Sequence, residues 1–212
     1  MPSGSSTFRK ATKEPSASGP AWEIAELFPN QGHLDEGDYL FLTERTNRLV
    51  EFTNGRIEVL EMPTLEHQEI VLFLVTVLRA FVTSRKLGRA IMAPLRVRLR
   101  DGQFREPDVL FMLEQNIARA GNRFWDGADL VMEVISEDDP DRDLQVKRRE
   151  YAEAGISEYW ICDPRSKSTS VLKLEGDHYI THSESTGGGQ VQSALLRGFA
   201  VDTASVFAAG AR

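Results

Sequence analysis

Three charged residues stand where this sequence otherwise places apolar ones. Asp108 sits in EPDVLFM, Glu133 in DLVMEVIS and Lys147 in DPDRDLQVKRREYAEAGISEYW. The first two segments read as strands, the third as a helix leading into a strand. Strand alternation puts Val131, Glu133 and Ile135 on one face, and Leu130, Met132 and Val134 on the other. On the helix, a step of about 100° per residue gathers Leu144, Lys147, Tyr151 and Ala154 on one side. Because a buried, unpaired carboxylate is costly, Glu133 is expected to be paired, protonated or bound to a metal. Asp108, beside Val109, meets the same constraint. Two neighbouring carboxylates repel and push one pKa up. A divalent cation relieves that repulsion, and hard oxygen ligands favour Mg²⁺ or Mn²⁺. Lys147 would then bring a positive charge to the metal, where it could orient or deprotonate an attacking water or stabilise charge on a phosphate.

Each of these residues also has a structural reading. Asp108 after Pro107 could close a turn. Glu133 could form a salt bridge with Arg96 or Arg98, and Lys147 could carry its ammonium out to solvent. His67, on the apolar stripe of the helix before these strands, is either a satisfied core or cap histidine or a residue on the rim of the active site. Glu51 could face the same pocket, but exposed pairing with Arg48 or Arg56 across its hairpin turn is the expected arrangement. Trp125 and Trp160 read as core or interface. Arg148 could touch a phosphate or lie in solvent.

The elements that must position these groups are legible in outline. LDEGDYLFLTE predicts a short helix with Asp35 near its start. RLVEFTNGRIEVLEM holds two alternating runs around Asn54-Gly55, the dipeptide of a type I′ hairpin. Thr64 caps a helix from about Leu65 to Arg85, with Ile70, Val71, Leu74, Val77, Leu78 and Phe81 as its stripe and Gly88 ending the segment. PLRVRLR is an alternating strand, and FREPDVLFML is expected to be another, held to an edge or a bulge at Pro107. NIARAGNRFW reads as a short helix or loop, and DLVMEVIS as a central strand covered on both faces. Asp139 and Pro140 suit the start of the next helix and Gly155 its end, before the strand EYWICD. STSVLKL and HYITHSE form a closing hairpin. Gly187 to Gly189 make a linker or wide turn, and Val191 to Phe207 a last strand and short helix. Strands alternating with helices predict an α/β fold with a mixed sheet flanked by helices and with added N- and C-terminal hairpins. Residues 1–20 read as a disordered tail, and 21–212 as a single domain.

Composition narrows the function classes. The 212 residues suffice for one domain with a real core. A net charge of -7 argues against coating nucleic acid by bulk charge. Locally, however, Arg85, Lys86, Arg89, Arg96, Arg98, Arg100 and Arg105 face only Asp101 as a nearby acid, which makes either a basic face or a solvated edge. No apolar run approaches the ~18 residues of a membrane span, and the Ser/Gly/Pro/Lys-rich start lacks the apolar centre of a signal peptide. No membrane partner is expected, and the cytoplasm is the expected compartment. The lone Cys162 excludes an intrachain disulfide and a cysteine-based zinc site.

With these residues in view, the chain resembles the PD-(D/E)XK nuclease superfamily. Pro107-Asp108 is the PD element and Glu133 the acidic member. The position two residues after the acid, where that superfamily carries its lysine, is Ile135. Lys147 on the next helix looks like a migrated replacement. More closely, the chain resembles the bacterial Uma-type restriction endonucleases. The resemblance runs through VEFTNGRIEVLEM, His67 at a helix start, REPDVLFM, DLVMEVISEDDPDRDLQVKRREYAEAGISEYWICDP and LLRGFAVDTASVFA, and covers roughly Leu34 to Phe207. It implies a restriction-endonuclease-like core, Mg²⁺ or Mn²⁺ at Asp108 and Glu133, Lys147 as catalytic lysine, His67 at the rim, and DNA as substrate. The alternative is a catalytically inert nuclease-fold binding or interaction module. Because a core of this size cuts one strand per site, duplex cleavage implies a homodimer. Its expected contact surface is Leu34 to Met62, with Tyr39, Phe41 and Leu42 as apolar contacts.

Overall fold

The computed structural model describes residues 30–46, 48–136 and 141–211. The N-terminal tail and the expected helix start at Asp139 and Pro140 lie outside the described residues. Asp35 accepts the Asp38 N–H at 2.7 Å and Asp38 accepts the Asp35 N–H at 3.1 Å. This reciprocal cap starts helix α1, Glu36–Thr43. Asn54 and Gly55 take positive φ (48° and 81°), as a type I′ turn demands. They join β1 (Val50–Thr53) to β2 (Arg56–Val59), with Glu51 directly opposite Glu58. The Thr64 hydroxyl accepts the His67 N–H and starts α2, Leu65–Arg85. Lys86, at φ 55°, ends that helix in the left-handed conformation. Gly88 instead opens β3 (Gly88–Met92).

Next come β4 (Arg96–Arg100), β5 (Gln103–Arg105) and β6 (Val109–Leu113). A 3₁₀ turn, Glu114–Arg119, leads to β7 (Phe124–Asp126) and β8 (Leu130–Val134). A π-helical turn, Arg142–Lys147, runs directly into α3, Arg148–Glu153. The chain closes with β9 (Glu158–Asp163), β10 (Ser168–Glu175), β11 (His178–Thr186), β12 (Gln190–Gln192), β13 (Ala200–Asp202) and α4 (Thr203–Gly210).

These strands form a six-stranded mixed sheet in the order β11-β10-β9-β8-β6-β3 and a five-stranded sheet in the order β2-β1-β5-β4-β7. FREPDVLFML is therefore two strands rather than one. Arg105 ends β5 in one sheet and Val109 starts β6 in the interior of the other. Pro107 lies in the joint between them, where a residue without an N–H removes no ladder bond. Asp108 is thereby held at the seam between the sheets. The pair β8 and β9 is parallel, and Val131 lies opposite Tyr159.

The six-stranded sheet is covered on both faces. Leu130, Met132 and Val134 pack with Ile70, Leu74 and Leu78 of α2 and with Val206 of α4. Val131 and Ile135 pack on the other side with Tyr151, Tyr159, Val97 and Trp125. A third cluster, Tyr39, Val50, Phe52, Ile57 and Phe104, seats α1 on the five-stranded sheet. Trp125 and Trp160 are both core residues. Tyr39 is also fully buried, stacked on Phe52 at 5.1 Å between ring centroids. It is therefore not available to a partner subunit as expected, whereas Phe41 is exposed and carries Arg45 over its ring. Two further buried acids are held by several donors each, and Arg119 adds an ion pair to Asp129 at 3.4 Å. Glu158 accepts the Trp160 indole N–H, the Ser193 hydroxyl and the N–H groups of Ala194 and Leu195, which pins the segment before β13. Asp129 accepts the Leu113 N–H and the Asn116 amide. Among the described residues no helix is long and apolar enough to cross a membrane.

Gly88 is the position with least room for a side chain. Its φ is +148°, and an added Cβ would lie 2.0 Å from the Met112 carbonyl oxygen across β3 and β6. We expect Gly88→Ala to cost at least about 2 kcal/mol, read as a lowered thermal midpoint by circular dichroism. An unchanged melt would mean that β3 can move away from β6 at no cost.

Candidate active site

The strand phase read from DLVMEVIS decides where Glu133 points. It shares the Val131 and Ile135 face and is 3 % exposed. Its Oε1 accepts the Lys147 ammonium at 2.9 Å and the Tyr151 hydroxyl at 2.6 Å. Arg96 and Arg98, the alternative partners for Glu133, are engaged elsewhere. Arg96 pairs with Glu106, and Arg98 with Glu36, Asp101 and Asp126. Lys147 is 6 % exposed and does not reach for solvent. Its Nζ also lies 2.9 Å from Asp143 Oδ1. Ile135 is packed into the second core cluster, so the ammonium beside Glu133 comes from the helix instead of the strand.

Helical periodicity placed Leu144 with Lys147, and the structure corrects this. Leu144 is 37 % exposed, while Asp143, Lys147, Glu150 and Tyr151 are buried. The cause is the π-helical turn, whose i→i+5 pattern carries more residues per turn than an α-helix. Asp143 rotates inward and Leu144 outward. Asp143 was missed in the sequence; its spacing of four from Lys147 was the available clue.

Asp108 and His67 meet at the other side of the same strand end. Asp108 Oδ2 accepts the Val134 N–H at 2.8 Å. His67 Nε2 lies 3.2 Å from that same oxygen and 3.1 Å from the Val134 carbonyl. Two acceptors around one ring nitrogen require it to carry the proton. His67 thus ties the first turn of α2 to the end of β8, and its Nδ1 is buried without a hydrogen bond among the described residues. The His67 and Asp108 side chains remain 15 % and 16 % exposed, which makes them the rim of the cluster.

Glu51 differs from its expected role. It does not pair at the surface with Arg48 or Arg56 but is 0 % exposed. Its Oε1 accepts the Glu106 N–H at 3.2 Å, and its Oε2 meets Arg142 in a very close ion pair and Arg105 at 3.5 Å. Arg142 also reaches Glu58 at 2.8 Å, and Arg105 holds Glu150 through two bonds of 2.8 and 2.7 Å. Of the basic run 85–105, Arg96, Arg98 and Arg105 are spent on carboxylates, while Arg85, Lys86, Arg89 and Arg100 are exposed. Arg148 neither lies free nor faces the cluster but donates to the Tyr179 carbonyl.

The electrostatics follow from this packing. Burial would raise the Glu51 carboxyl, but Arg142, Arg105, Lys147 and the Glu106 N–H outweigh it and hold it at about 2. Burial raises Glu106 to about 7, with Glu51 adding to the effect. Glu133 is raised by burial and by Asp143 and Asp108, against the pull of Lys147. Burial lowers Lys147, yet Asp143, Glu133 and Glu51 overcome this and keep the ammonium charged. His67 is likewise raised, Asp108 outweighing burial.

Two acids could hold a divalent cation here. Among the described residues, hydrogen bonds engage Oδ2 of Asp108 and Oε1 of Glu133 but not the second oxygen of either. No group of three or more His, Cys, Asp or Glu side chains is gathered for an ion among the described residues. Two carboxylates with water and substrate phosphate completing the shell is the habit of Mg²⁺ rather than of zinc.

With this geometry in hand, comparison with known proteins is decisive on lineage. The family model Uma2, described as "putative restriction endonuclease", matches residues 37–204. The chain belongs to the Uma2 family. The fold is similar to the crystal structure of a "putative nuclease belonging to DUF820" from Anabaena variabilis ATCC 29413. That match has a TM-score of 0.68 at 19% identity, and covers 84% of this chain and 99% of the other. No curated protein matches the sequence. The Uma2 assignment makes the mixed α/β core restriction-endonuclease-like, as the sequence resemblance implied, and makes a nuclease-like enzyme the relevant chemistry.

The depressed Glu51 pKa has a pH consequence with a definite sign. A carboxyl lowered from 4.5 to about 2 contributes stability above pH 4.5 that is lost as pH falls toward about 2. We expect Glu51→Gln to cost about 3 kcal/mol near neutrality. In urea unfolding, the gap between the variant and the parent should close below pH 4.5. A gap that stays constant through this range would show that Glu51 is not held ionised by its arginines.

Proposed function

We propose that this protein is a metal-dependent endonuclease that hydrolyses DNA phosphodiester bonds. In this reading Asp108 and Glu133 hold Mg²⁺ or Mn²⁺, Lys147 is the catalytic lysine, and His67 is a catalytic-site residue at the rim. The observation that carries the reading is the buried Lys147 ammonium, 2.9 Å from both Glu133 and Asp143 beside a second free-edged acid, Asp108. When bound, the cation would neutralise charge on a phosphate and lower the pKa of water.

The chain's own residues do the rest. Lys147 stays protonated under the pull of Asp143 and Glu133, so it stabilises charge on the phosphate rather than acting as a base. Tyr151 donates to Glu133 Oε1 and His67 anchors the Asp108 carboxylate through Oδ2. Both acids are thereby orientated, each with a second oxygen that no hydrogen bond engages among the described residues. Ile135 at the strand position favours the second reading, an inert nuclease-fold module, only if Lys147 cannot substitute for a lysine there.

Cleavage of duplex DNA is expected to require added Mg²⁺ or Mn²⁺ and to stop with chelator. Asp108→Ala, Glu133→Ala and Lys147→Ala should each lower the rate by at least ~100-fold. Equal nicking by all three variants would assign the activity to a contaminant and leave the inert module. We also propose a twofold homodimer, since two sites are needed to cut both strands. With Tyr39 buried, Phe41 and Met62, at 54% and 71% exposure, are the apolar groups this surface retains. Light scattering should return about twice the 23.8 kDa chain mass. A monomer at micromolar concentration would point to single-strand nicking.

A further inference from the structure

We propose that Glu51 is a positioning residue for the site: through Arg142 it fixes the π-helical turn that carries Asp143 and Lys147. This rests on the nuclease reading above. Glu51 itself is not placed to touch substrate. It has no exposed surface, and both oxygens are committed, Oε1 to the Glu106 N–H and Oε2 to Arg142 and Arg105. The carboxylate is in turn braced. Arg105 is locked by its two-pronged bond to Glu150 of α3 and by a 2.8 Å bond to Thr53 of β1.

What this braced carboxylate holds is the start of the turn. Arg142 opens the π-helical turn, and its guanidinium straddles Glu51 and Glu58, which face each other across the hairpin. The next residue is Asp143, which points the other way and grips Lys147. Consecutive residues of the turn therefore connect the hairpin to the site through one peptide unit. Among the described residues Asp141 makes no side-chain cap bond, though it accepts the Gln145 amide at 3.0 Å, and a π-turn is a rare conformation. On its inner side, the Tyr159 hydroxyl donates to the Asp143 carbonyl at 3.0 Å. Release of Arg142 would loosen the start of the wide turn and re-aim Asp143, whose Oδ1 meets the Lys147 ammonium at 2.9 Å.

The test uses the full chain, with Glu51→Gln, Glu58→Gln and, as an inactive reference, Asp108→Ala. Two quantities are read: amide hydrogen exchange by mass spectrometry, and cleavage of duplex DNA in Mn²⁺ over a range of DNA concentrations. In Glu51→Gln, exchange over residues 142–148 should rise by about tenfold or more while β8 and β9 keep their protection. The rate at saturating DNA should fall ~10–100-fold, the scale of a small misplacement at a catalytic centre. KM for DNA should stay within about twofold, because uniform binding is untouched. Glu58→Gln should move both readouts in the same direction by less. If Glu51→Gln shows no cooperative melt, Glu58→Gln carries the test, since its half-buried carboxylate strands less charge when removed. Unchanged exchange over 142–148, or a loss expressed only in KM, would overturn the proposal. Localised exchange in a parent protein that cuts no DNA would instead uphold the clamp and remove the nuclease reading.

Discussion

A lysine ammonium can be enclosed in a core only where carboxylates meet it, and much of this structure is arranged around that requirement. Lys147 keeps its charge because Glu133 and Asp143 each lie 2.9 Å from it. Removing one partner from such a buried pair costs ~3–5 kcal/mol, because the remaining charge is stranded. The elements are thus mutually locked. The phase of β8 aims Glu133 at the helix, the π-helical turn aims Asp143, and Tyr151 one turn later closes Glu133 Oε1. A shift of β8 by one residue would send Glu133 toward α2 and leave the ammonium with a single acid.

The price of that arrangement is visible in the turn itself. A regular α-helix over 142–147 would bring Leu144 onto the buried Lys147 side, satisfying local hydrophobic pattern. The observed turn does the reverse: Leu144 and Val146 lie in solvent at 37% and 39% exposure, and Asp143 is inside. Local preference is overruled by tertiary charge pairing. Such conflicts between levels are expected at functional sites rather than in ordinary packing. Arg142 and Asp143 divide the work, one holding the hairpin and the other the lysine.

The limits of the sequence follow from the same physics. Elements with a local cause were readable: the Asp35 cap, the Asn54-Gly55 turn, Thr64 at the head of α2, and the alternating faces of DLVMEVIS. The three charges in apolar surroundings marked the site, because burying a charge demands compensation whatever the fold. What failed depends on geometry that periodicity assumes. The 100° step misplaced Leu144, and the Pro107 joint hid a change of sheet within FREPDVLFML. Glu51 was read as exposed, although its environment was partly derivable. The turn fixes the register, so Glu51 must face Glu58. Like charges directly opposite are destabilising, which calls for a cation between them. That the cation is Arg142, ninety-one residues away, has no local signal.

Taken together, the charges also argue for the kind of guest this site accepts. Among the described residues, the ion pairs around the site draw on seven carboxylates, Glu51, Glu58, Glu106, Asp108, Glu133, Asp143 and Glu150, and four permanent cations, Arg96, Arg105, Arg142 and Lys147. His67, if protonated, reduces the imbalance by one. The arginines serve the acids nearest the hairpin, which is why Glu51 stays ionised at about 2. The deficit therefore falls on Glu106 and on the Glu133, Asp143 and Asp108 group. Burial raises the carboxyls of Glu106, Glu133 and Asp143. In the proposed nuclease reading, a divalent cation would offset part of the acid excess and meet the oxygens that, among the described residues, Asp108 and Glu133 leave without donors. An apolar or anionic guest would do neither. In that same proposed reading, this acid excess favours a hard cation at the site.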